Sequence, residues 1–116
     1  MDNIHKEDEV RPWGKFEVFA KNEQVTVKIV TVNQGEKFSL QYHTHRNEFW
    51  RILSGNPLVT IADKTIQAKK GDEFMVTAGM YHRVEAQGDT VEFLEIGFGV
   101  FDEKDIVRTE DKYGRT

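Results

Sequence analysis

Apolar residues recur at every second position through most of the chain, which is the period of a half-buried β-strand. In the segment QVTVKIVTV, this alternation places Val25, Val27 and Ile29 on one face of a strand. Thr26 and Lys28 take the opposite face. The same pattern predicts further strands at 15–20, 36–45, 48–54, 58–62, 64–68, 72–78, 82–86 and 90–98.

Turn-forming residues separate these strands, in NQGE, SGNP, ADK, KKGD and AQGD, each of which contains Gly, Asn or Asp. Eight or nine short strands at about 10-residue spacing predict an all-β antiparallel sandwich or barrel. Only FDEKDIV (101–107) is suited to a helical turn. We expect residues 1–10 to form a polar N-terminal arm and 11–116 to form one domain that ends in a polar C-terminal arm from residue 109.

Composition excludes several functional classes. A chain of 116 residues has the length of a single domain. Cysteine is absent, which excludes disulfides and thiolate metal sites and suits a cytoplasmic protein. The net charge of −4 is spread without a basic stripe, so we expect no nucleic-acid partner. The N-terminus is too polar for a secretory signal and no apolar run has spanning length, so we expect no membrane association.

The stretch SLQYHTHRNEFW concentrates side chains of the types that bind metals. Gln41, His43 and His45 occupy alternate positions of a predicted strand, so they should share one face. Arg46 and Asn47 are predicted to break the alternation as a turn or bulge. Each of these residues alone is typical of a solvated strand position, and it is their combination that suggests a site.

The following strand places Glu48 on the same face as the apolar Trp50. Burial of a carboxylate there is costly unless a cation pairs with it. The segment GDEFMVTAGMYHR then contributes His82, because remote strands of a barrel can deliver polar residues to one interior point. Imidazole, carboxylate and amide donors suit divalent Zn, Mn, Fe, Co or Ni, so their convergence would make a metal site.

The spacing of these residues resembles the cupin family, whose motifs are G-x5-H-x-H-x3,4-E-x6-G and G-x5-P-x-G-x2-H-x3-N. The first motif runs here from Gly35 to Gly55, and the second from Gly71 through His82. The match departs in three places, which are Gln41 for the first His, Thr77 for the Pro and Ala86 for the last Asn. The resemblance implies a single cupin domain, a double-stranded β-helix or jelly-roll barrel.

A narrower resemblance is to the isomerase domain of type II phosphomannose isomerases. That domain is usually the C-terminal part of a bifunctional enzyme with mannose-1-phosphate guanylyltransferase. The matching motifs are RPWGKFE (11–17), SLQYHTHRNEFW (39–50), GDEFMVTAGMYHR (71–83) and DIVRTEDKYGR (105–115). The chain departs from that family at Phe49, where a histidine is usual, and at Thr44, where a histidine is common. Phe49 should lie on the face opposite Glu48 and alter packing more than coordination.

The resemblance implies interconversion of mannose-6-phosphate and fructose-6-phosphate, a step that feeds nucleotide-sugar synthesis. It also implies one divalent metal ion, Zn before Mn, Co, Ni or Fe, with the ligands Gln41, His43, Glu48 and His82. Aldose–ketose exchange requires a general base, for which both Glu48 and His45 are candidates. Arg46 is expected to meet the phosphate or a developing oxyanion.

The sequence does not decide the roles of several other cationic and aromatic residues. Lys15, Arg83 and Arg115 are further candidates for phosphate contact, although a solvated position explains each as well. Trp13 and Trp50 fit the core better than a sugar-stacking role, and Tyr113 is undecided. The alternatives to the isomerase are a non-catalytic cupin that binds a sugar or metabolite, and a cupin enzyme acting on another phosphosugar or on dioxygen. We expect a homodimer, because pairing covers exposed strand edges.

Overall fold

The computed structural model describes residues 9–102 and 104–110, and all structural statements concern those residues. They form eleven strands and no helix, and therefore no helix that could cross a membrane. The strands are β1 Glu9–Arg11, β2 Gly14–Phe16, β3 Val25–Val32, β4 Leu40–Tyr42, β5 Arg46–Ser54, β6 Leu58–Ile61, β7 Lys64–Gln67, β8 Glu73–Val76, β9 His82–Glu85, β10 Val91–Gly99 and β11 Val107–Glu110. The predicted all-β class is confirmed.

Every strand pairing is antiparallel, in two large sheets and one small hairpin. One sheet has the order β3-β10-β5-β8, the other has the order β11-β4-β9-β6-β7, and β1 pairs only with β2. The apolar core lies between the large sheets and draws on both. Its buried members are Val32, Trp50, Ile52, Val59, Ala68, Val76, Val84, Ala86, Val91 and Phe93. The two sheets thus enclose one interior, which positions the site described below.

The edge strand β3 alternates as predicted, and the face that carries Val27 and Ile29 is the outer one, whereas Val30 and Val32 contribute to the core from the inner face. Val27 and Ile29 are 56% and 59% exposed. Lys28 instead lies on the interior side, opposite Glu95 of β10 in the strand register. Periodicity alone does not say which face of a strand is buried, and here the interior position takes a charged residue because Glu95 pairs with it.

The predicted strand at 36–45 is shorter than expected. β4 ends at Tyr42, residues 43–45 turn, and β5 begins at Arg46. The expectation that Arg46 forms a break is therefore wrong, and so is the expectation that His45 continues the face of His43. The cause is remote in sequence: the Asp105 carboxylate accepts hydrogen bonds of 2.8 Å from the backbone N–H groups of Thr44 and His45.

The segment near the C-terminus contains one turn and then a strand. The backbone N–H of Asp105 donates to the carbonyl oxygen of Asp102 at 2.9 Å, the described residues of 101–107 form no helix, and Val107–Glu110 joins the five-stranded sheet beside β4. The predicted C-terminal arm thus begins inside a strand. The rest of that arm, with Tyr113 and Arg115, lies outside the described residues, as do the first eight residues of the predicted N-terminal arm.

Gly55, the last glycine of the first cupin motif, has a structural reason for its identity. It ends the long strand β5 with a φ of +84°, in the left-handed region that disfavours side chains. A Cβ at this position would lie 2.6 Å from the carbonyl oxygen of Thr90. Glycine therefore allows β5 to turn closely past the start of β10.

Candidate metal centre

Three ligand-type side chains meet inside the barrel. His43 lies in the turn after β4, Glu48 is on the interior face of β5, and His82 begins β9. One donor atom from each residue lies within 4.8 Å of the others, and all three side chains are buried. Two sheets and a turn therefore bring together residues that are up to 39 positions apart in the chain.

Backbone carbonyl groups fix the orientation of both histidine rings. His43 Nδ1 lies 2.5 Å from the carbonyl oxygen of Asp105, and His82 Nδ1 lies 3.0 Å from that of Met80. Because a carbonyl oxygen only accepts, each Nδ1 carries the hydrogen. Each Nε2 then keeps its lone pair, which is the arrangement seen in histidines that bind metals.

The protonation states also suit a metal. Burial lowers the pKa of His43 and of His82, so both rings are neutral at physiological pH. Burial acts to raise the pKa of Glu48, but the neighbouring His82 and a hydrogen bond from Arg46 outweigh it and leave that pKa lowered. Neutral imidazoles and an ionised carboxylate are the forms in which these side chains coordinate cations.

Arg46 lies against two of the three donors. Its Nε donates to Glu48 Oε2 at 2.9 Å, and its Nη2 donates to His43 Nε2 at 3.1 Å. Trp50 Nε1 donates to Glu48 Oε1, also at 2.9 Å. The buried carboxylate is therefore paired with a cation, as its burial requires. The donor set fits Zn, Mn, Fe, Co or Ni, and an ion bound to Glu48 Oε2 and His43 Nε2 would take over contacts that Arg46 now makes.

Gln41 lies beside this centre on the five-stranded sheet. It is the register partner of His82 across β4 and β9, and its side chain is half-buried. Its Oε1 accepts a 2.6 Å hydrogen bond from the hydroxyl of Ser39, which is fully buried. A carbonyl oxygen has two lone pairs, so one is left for a cation. Ligation by Gln41 stays a prediction.

His45 is not brought to the interior. Its side chain is 75% exposed, and its Nδ1 lies 3.3 Å from an Asp105 carboxylate oxygen. Asp105 is the residue that sequence reasoning missed. Hydrogen bonds from the Thr44 hydroxyl and from the Thr44 and His45 amides hold its pKa well below the usual range. The available signal was the DIVR motif, which contains Asp105 without indicating its role.

The remaining candidates lie outside the interior cluster. Lys15 lies 3.7 Å from Glu17 on an exposed strand. Arg83 donates to the backbone carbonyls of Phe38 and Glu110, which ties β9 to neighbouring segments. Trp13 is largely exposed, so its expected place in the core is wrong, and β1 and β2 form a separate hairpin that leaves it uncovered.

Trp50 and Phe49 occupy opposite faces of β5, as alternation predicts. Trp50 is fully buried, with its ring centroid 5.4 Å from that of His82. Phe49 is buried on the outer side, where its ring lies 5.3 Å from that of Phe19. The substitution of Phe for the usual family histidine therefore affects outer packing and leaves the ligand cluster untouched.

Comparisons with known proteins found a matching family and similar sequences. The family described as Mannose-6-phosphate isomerase C-terminal matches residues 2–111. Xanthan biosynthesis protein XanB of Xanthomonas campestris pv. campestris is 37% identical over 108 residues, which are 91% of this chain and 23% of that protein. Mannose-1-phosphate guanylyltransferase ManC of Salmonella typhimurium is 36% identical over 115 residues, 97% of this chain and 24% of its own length. The chain thus spans about a quarter of these relatives.

The fold has solved counterparts. A cupin protein from Bacteroides fragilis superposes with a TM-score of 0.60 at 24% sequence identity, over 66% of each chain. At that identity the likeness concerns the fold alone. It confirms the double-stranded β-helix that the resemblance to the cupin family implies.

Proposed function

Because the chain belongs to the family of mannose-6-phosphate isomerase C-terminal domains, with the cupin fold, we propose that it is a metal-dependent mannose-6-phosphate isomerase. The observation that carries the proposal is the buried convergence of His43, Glu48 and His82 in their metal-binding protonation states. The relatives in sugar-phosphate metabolism support the choice of substrate. We propose Zn as the ion and Gln41 as its fourth protein ligand.

The reaction moves hydrogen between two neighbouring carbons of an open-chain sugar phosphate. A base removes the proton from C2 of the aldose while the carbonyl oxygen on C1 gains one, which gives an enediol. A proton then adds to C1 as the hydroxyl on C2 loses its own, which gives the ketose. A bound divalent ion supplies Lewis-acid stabilisation of negative charge on the substrate oxygens.

Residues of the chain would supply the general base and the hydrogen-bond donors for the substrate. Of the two base candidates, only Glu48 faces the interior, so we assign proton transfer at carbon to it. Arg46 keeps one buried donor, Nη1, without a hydrogen-bond partner among the described residues. In this proposal that donor binds a substrate oxygen that gains charge, in an interior where such a contact is strong. Trp50 holds the Glu48 carboxylate by its other oxygen.

The test is metal analysis of the purified protein, followed by a coupled isomerase assay on a panel of hexose phosphates. We expect bound divalent metal, turnover of mannose-6-phosphate, and loss of turnover on chelation. Absence of conversion with Zn, Mn, Co and Ni in turn would contradict the proposal. Saturable binding of mannose-6-phosphate without conversion would favour the metabolite-binding cupin instead, and turnover of a different hexose phosphate would reassign the substrate.

A further inference from the structure

A second polar cluster lies on the interior side of the four-stranded sheet. Lys28 of β3 and Glu95 of β10 are register partners, with Lys28 Nζ 3.3 Å from Glu95 Oε2. Glu95 is only 7% exposed, whereas the side chain of Lys28 is 39% exposed. The pair therefore leads from the barrel interior towards solvent, with the carboxylate at the inner end.

Phe101 connects this pair to the metal centre. Its ring centroid lies 4.7 Å from Lys28 Nζ and 4.4 Å from the guanidinium carbon of Arg46. Two cations thus contact one aromatic ring, each within the range of a cation–π interaction. Since Arg46 also donates to Glu48, the Lys28–Glu95 pair is next to the proposed reaction centre. Burial, together with the negative charge of Glu48, raises the pKa of Glu95 to about 7.

Two buried polar atoms in this region have no hydrogen-bond partner within the described part of the chain. They are Glu95 Oε2, an acceptor, and Arg46 Nη1, a donor. Glu95 Oε2 is in an ion pair with Lys28 Nζ at 3.3 Å. Leaving a buried polar atom without a hydrogen bond is unfavourable, so such atoms in a native interior call for an explanation. A ligand that carries both hydroxyl and anionic oxygens would satisfy both.

We propose that Lys28 and Glu95, together with Arg46, form the subsite for the hydroxyl-bearing and phosphorylated part of a sugar phosphate. Glu95 Oε2 accepts a hydrogen bond from a sugar hydroxyl, and Lys28 meets the phosphate at the solvent side. Lys28 has three donors, so it serves Glu95 and the phosphate together. The choice of sugar phosphate rests on the proposed function, whereas the Lys28–Glu95 pair contains none of the proposed metal ligands.

The test measures binding without turnover. Isothermal titration calorimetry on the Zn²⁺-loaded protein would use mannitol-1-phosphate, a polyol phosphate without a carbonyl group, alongside mannitol and inorganic phosphate. We expect Lys28→Met to weaken binding of mannitol-1-phosphate and of phosphate about tenfold, the effect of losing one charge-assisted contact. Glu95→Gln should lower the ratio of mannitol-1-phosphate affinity to phosphate affinity, because only the polyol exchanges a charge-assisted hydrogen bond for a weaker neutral one.

Exposed residues of the same types supply matched controls. Lys64→Met changes an exposed lysine on β7, and Glu92→Gln changes an exposed glutamate on β10 itself, so both should bind like the unmodified protein. The double variant K28M/E95Q removes both charges and keeps the interior neutral. It should give the circular dichroism spectrum and melting curve of a folded protein while failing to bind the polyol phosphate.

The outcomes separate this inference from the proposed function. Unchanged mannitol-1-phosphate binding in folded K28M and E95Q, or no binding by the unmodified metal-loaded protein, would overturn the subsite. Binding that depends on Lys28 and Glu95, without isomerisation of any hexose phosphate, would retain the subsite and refute the isomerase alone. Isomerisation of a hexose phosphate, with mannitol-1-phosphate binding that neither substitution changes, would retain the isomerase and refute the subsite.

Discussion

His43 and His45 stand two residues apart in the sequence, yet they lie on opposite sides of one turn. On the inner side, His43 is buried with Glu48 and His82. On the outer side, His45 is exposed beside Thr44 and Asp105. The side-chain types are identical, so the difference comes from the backbone. The comparison teaches that ligand identity here depends on where a strand ends, and that Asp105 sets this point.

The largest expected effect comes from exchanging the two histidines for alanine in turn. His43→Ala removes a neutral imidazole donor from the buried cluster, so metal affinity should fall by more than the ~100-fold known for outer-sphere partners. His45→Ala should retain the metal, because its ring is not among the donors. Competition with a chromogenic chelator measures both affinities. Equal losses in the two variants would refute the assignment of the two sides.

The second prediction concerns Asp105, which holds the turn that separates His43 from His45. Asp105→Ala removes the carboxylate that accepts from Thr44 and His45, so we expect the free energy of unfolding to fall by about 1–3 kcal/mol. Metal affinity should fall about tenfold, since the carbonyl that orients His43 is displaced. Urea denaturation and chelator competition measure the two quantities. Asp105→Asn keeps one acceptor oxygen, so its stability and metal affinity should lie between those of the unmodified protein and of Asp105→Ala. Unchanged metal affinity in Asp105→Ala would contradict the proposed role of Asp105 in positioning His43.

The third effect has the opposite sign. Arg46 Nη2 donates to His43 Nε2 and its Nε donates to Glu48 Oε2, so the guanidinium competes with a cation for both atoms. Arg46→Gln should therefore raise metal affinity about tenfold, the worth of one charge-assisted hydrogen bond, while it weakens sugar-phosphate binding. Arg51→Gln, on the outer face of the same strand, is the matched control. A lower metal affinity in Arg46→Gln would show that Arg46 supports the ligands instead.

The smallest effect is a dependence of stability on pH. Burial holds the pKa of His43 below its ordinary 6.5, so below that pH the unfolded chain binds more protons than the folded chain. The contribution of His43 to the stability of the metal-free protein should then fall as pH drops below 6.5, and His82 acts in the same direction. Glu95, whose pKa is raised to about 7, acts in the opposite direction, so the test is the difference between the unmodified protein and a His43 variant. Urea denaturation between pH 7 and pH 5 measures the change, and His43→Gln should reduce the slope. A slope that is the same in the variant would contradict the buried, neutral state of His43.

Sequence reasoning went furthest where spacing alone decides the outcome. The glycine-to-glycine count identified His43, Glu48 and His82, and alternation placed Phe49 outside and Trp50 inside. These features depend on local periodicity and on motif lengths, which the chain displays directly. The cupin fold was implied by the family resemblance that these motifs carry, and the solved structure agrees with it. The expected homodimer and the cytoplasmic location stay predictions, and light scattering would test the first.

Sequence reasoning was wrong where a distant residue decides a local structure. His45 was expected inside because alternation assumes that a strand continues, but Asp105 ends that strand through hydrogen bonds across 60 and 61 positions. Alternation correctly placed Lys28 on the face opposite Val27, but it could not say that this face is the inner one, where Lys28 pairs with Glu95 of another strand. Neither partnership has a period that a single-sequence pattern could reveal.

The hydrogen bond from His43 to the carbonyl of Asp105 joins residues 62 positions apart, and it has a consequence for biosynthesis. During translation, His43, Glu48 and His82 leave the ribosome before the residue that orients the first of them. The donors therefore exist for a time as parts of an incomplete barrel, in which the turn at 43–45 has no carboxylate to hold it. If the protein is the proposed metalloenzyme, we expect this order of synthesis to complete the metal centre only after the C-terminal segment has folded against the turn, so that metal is loaded last.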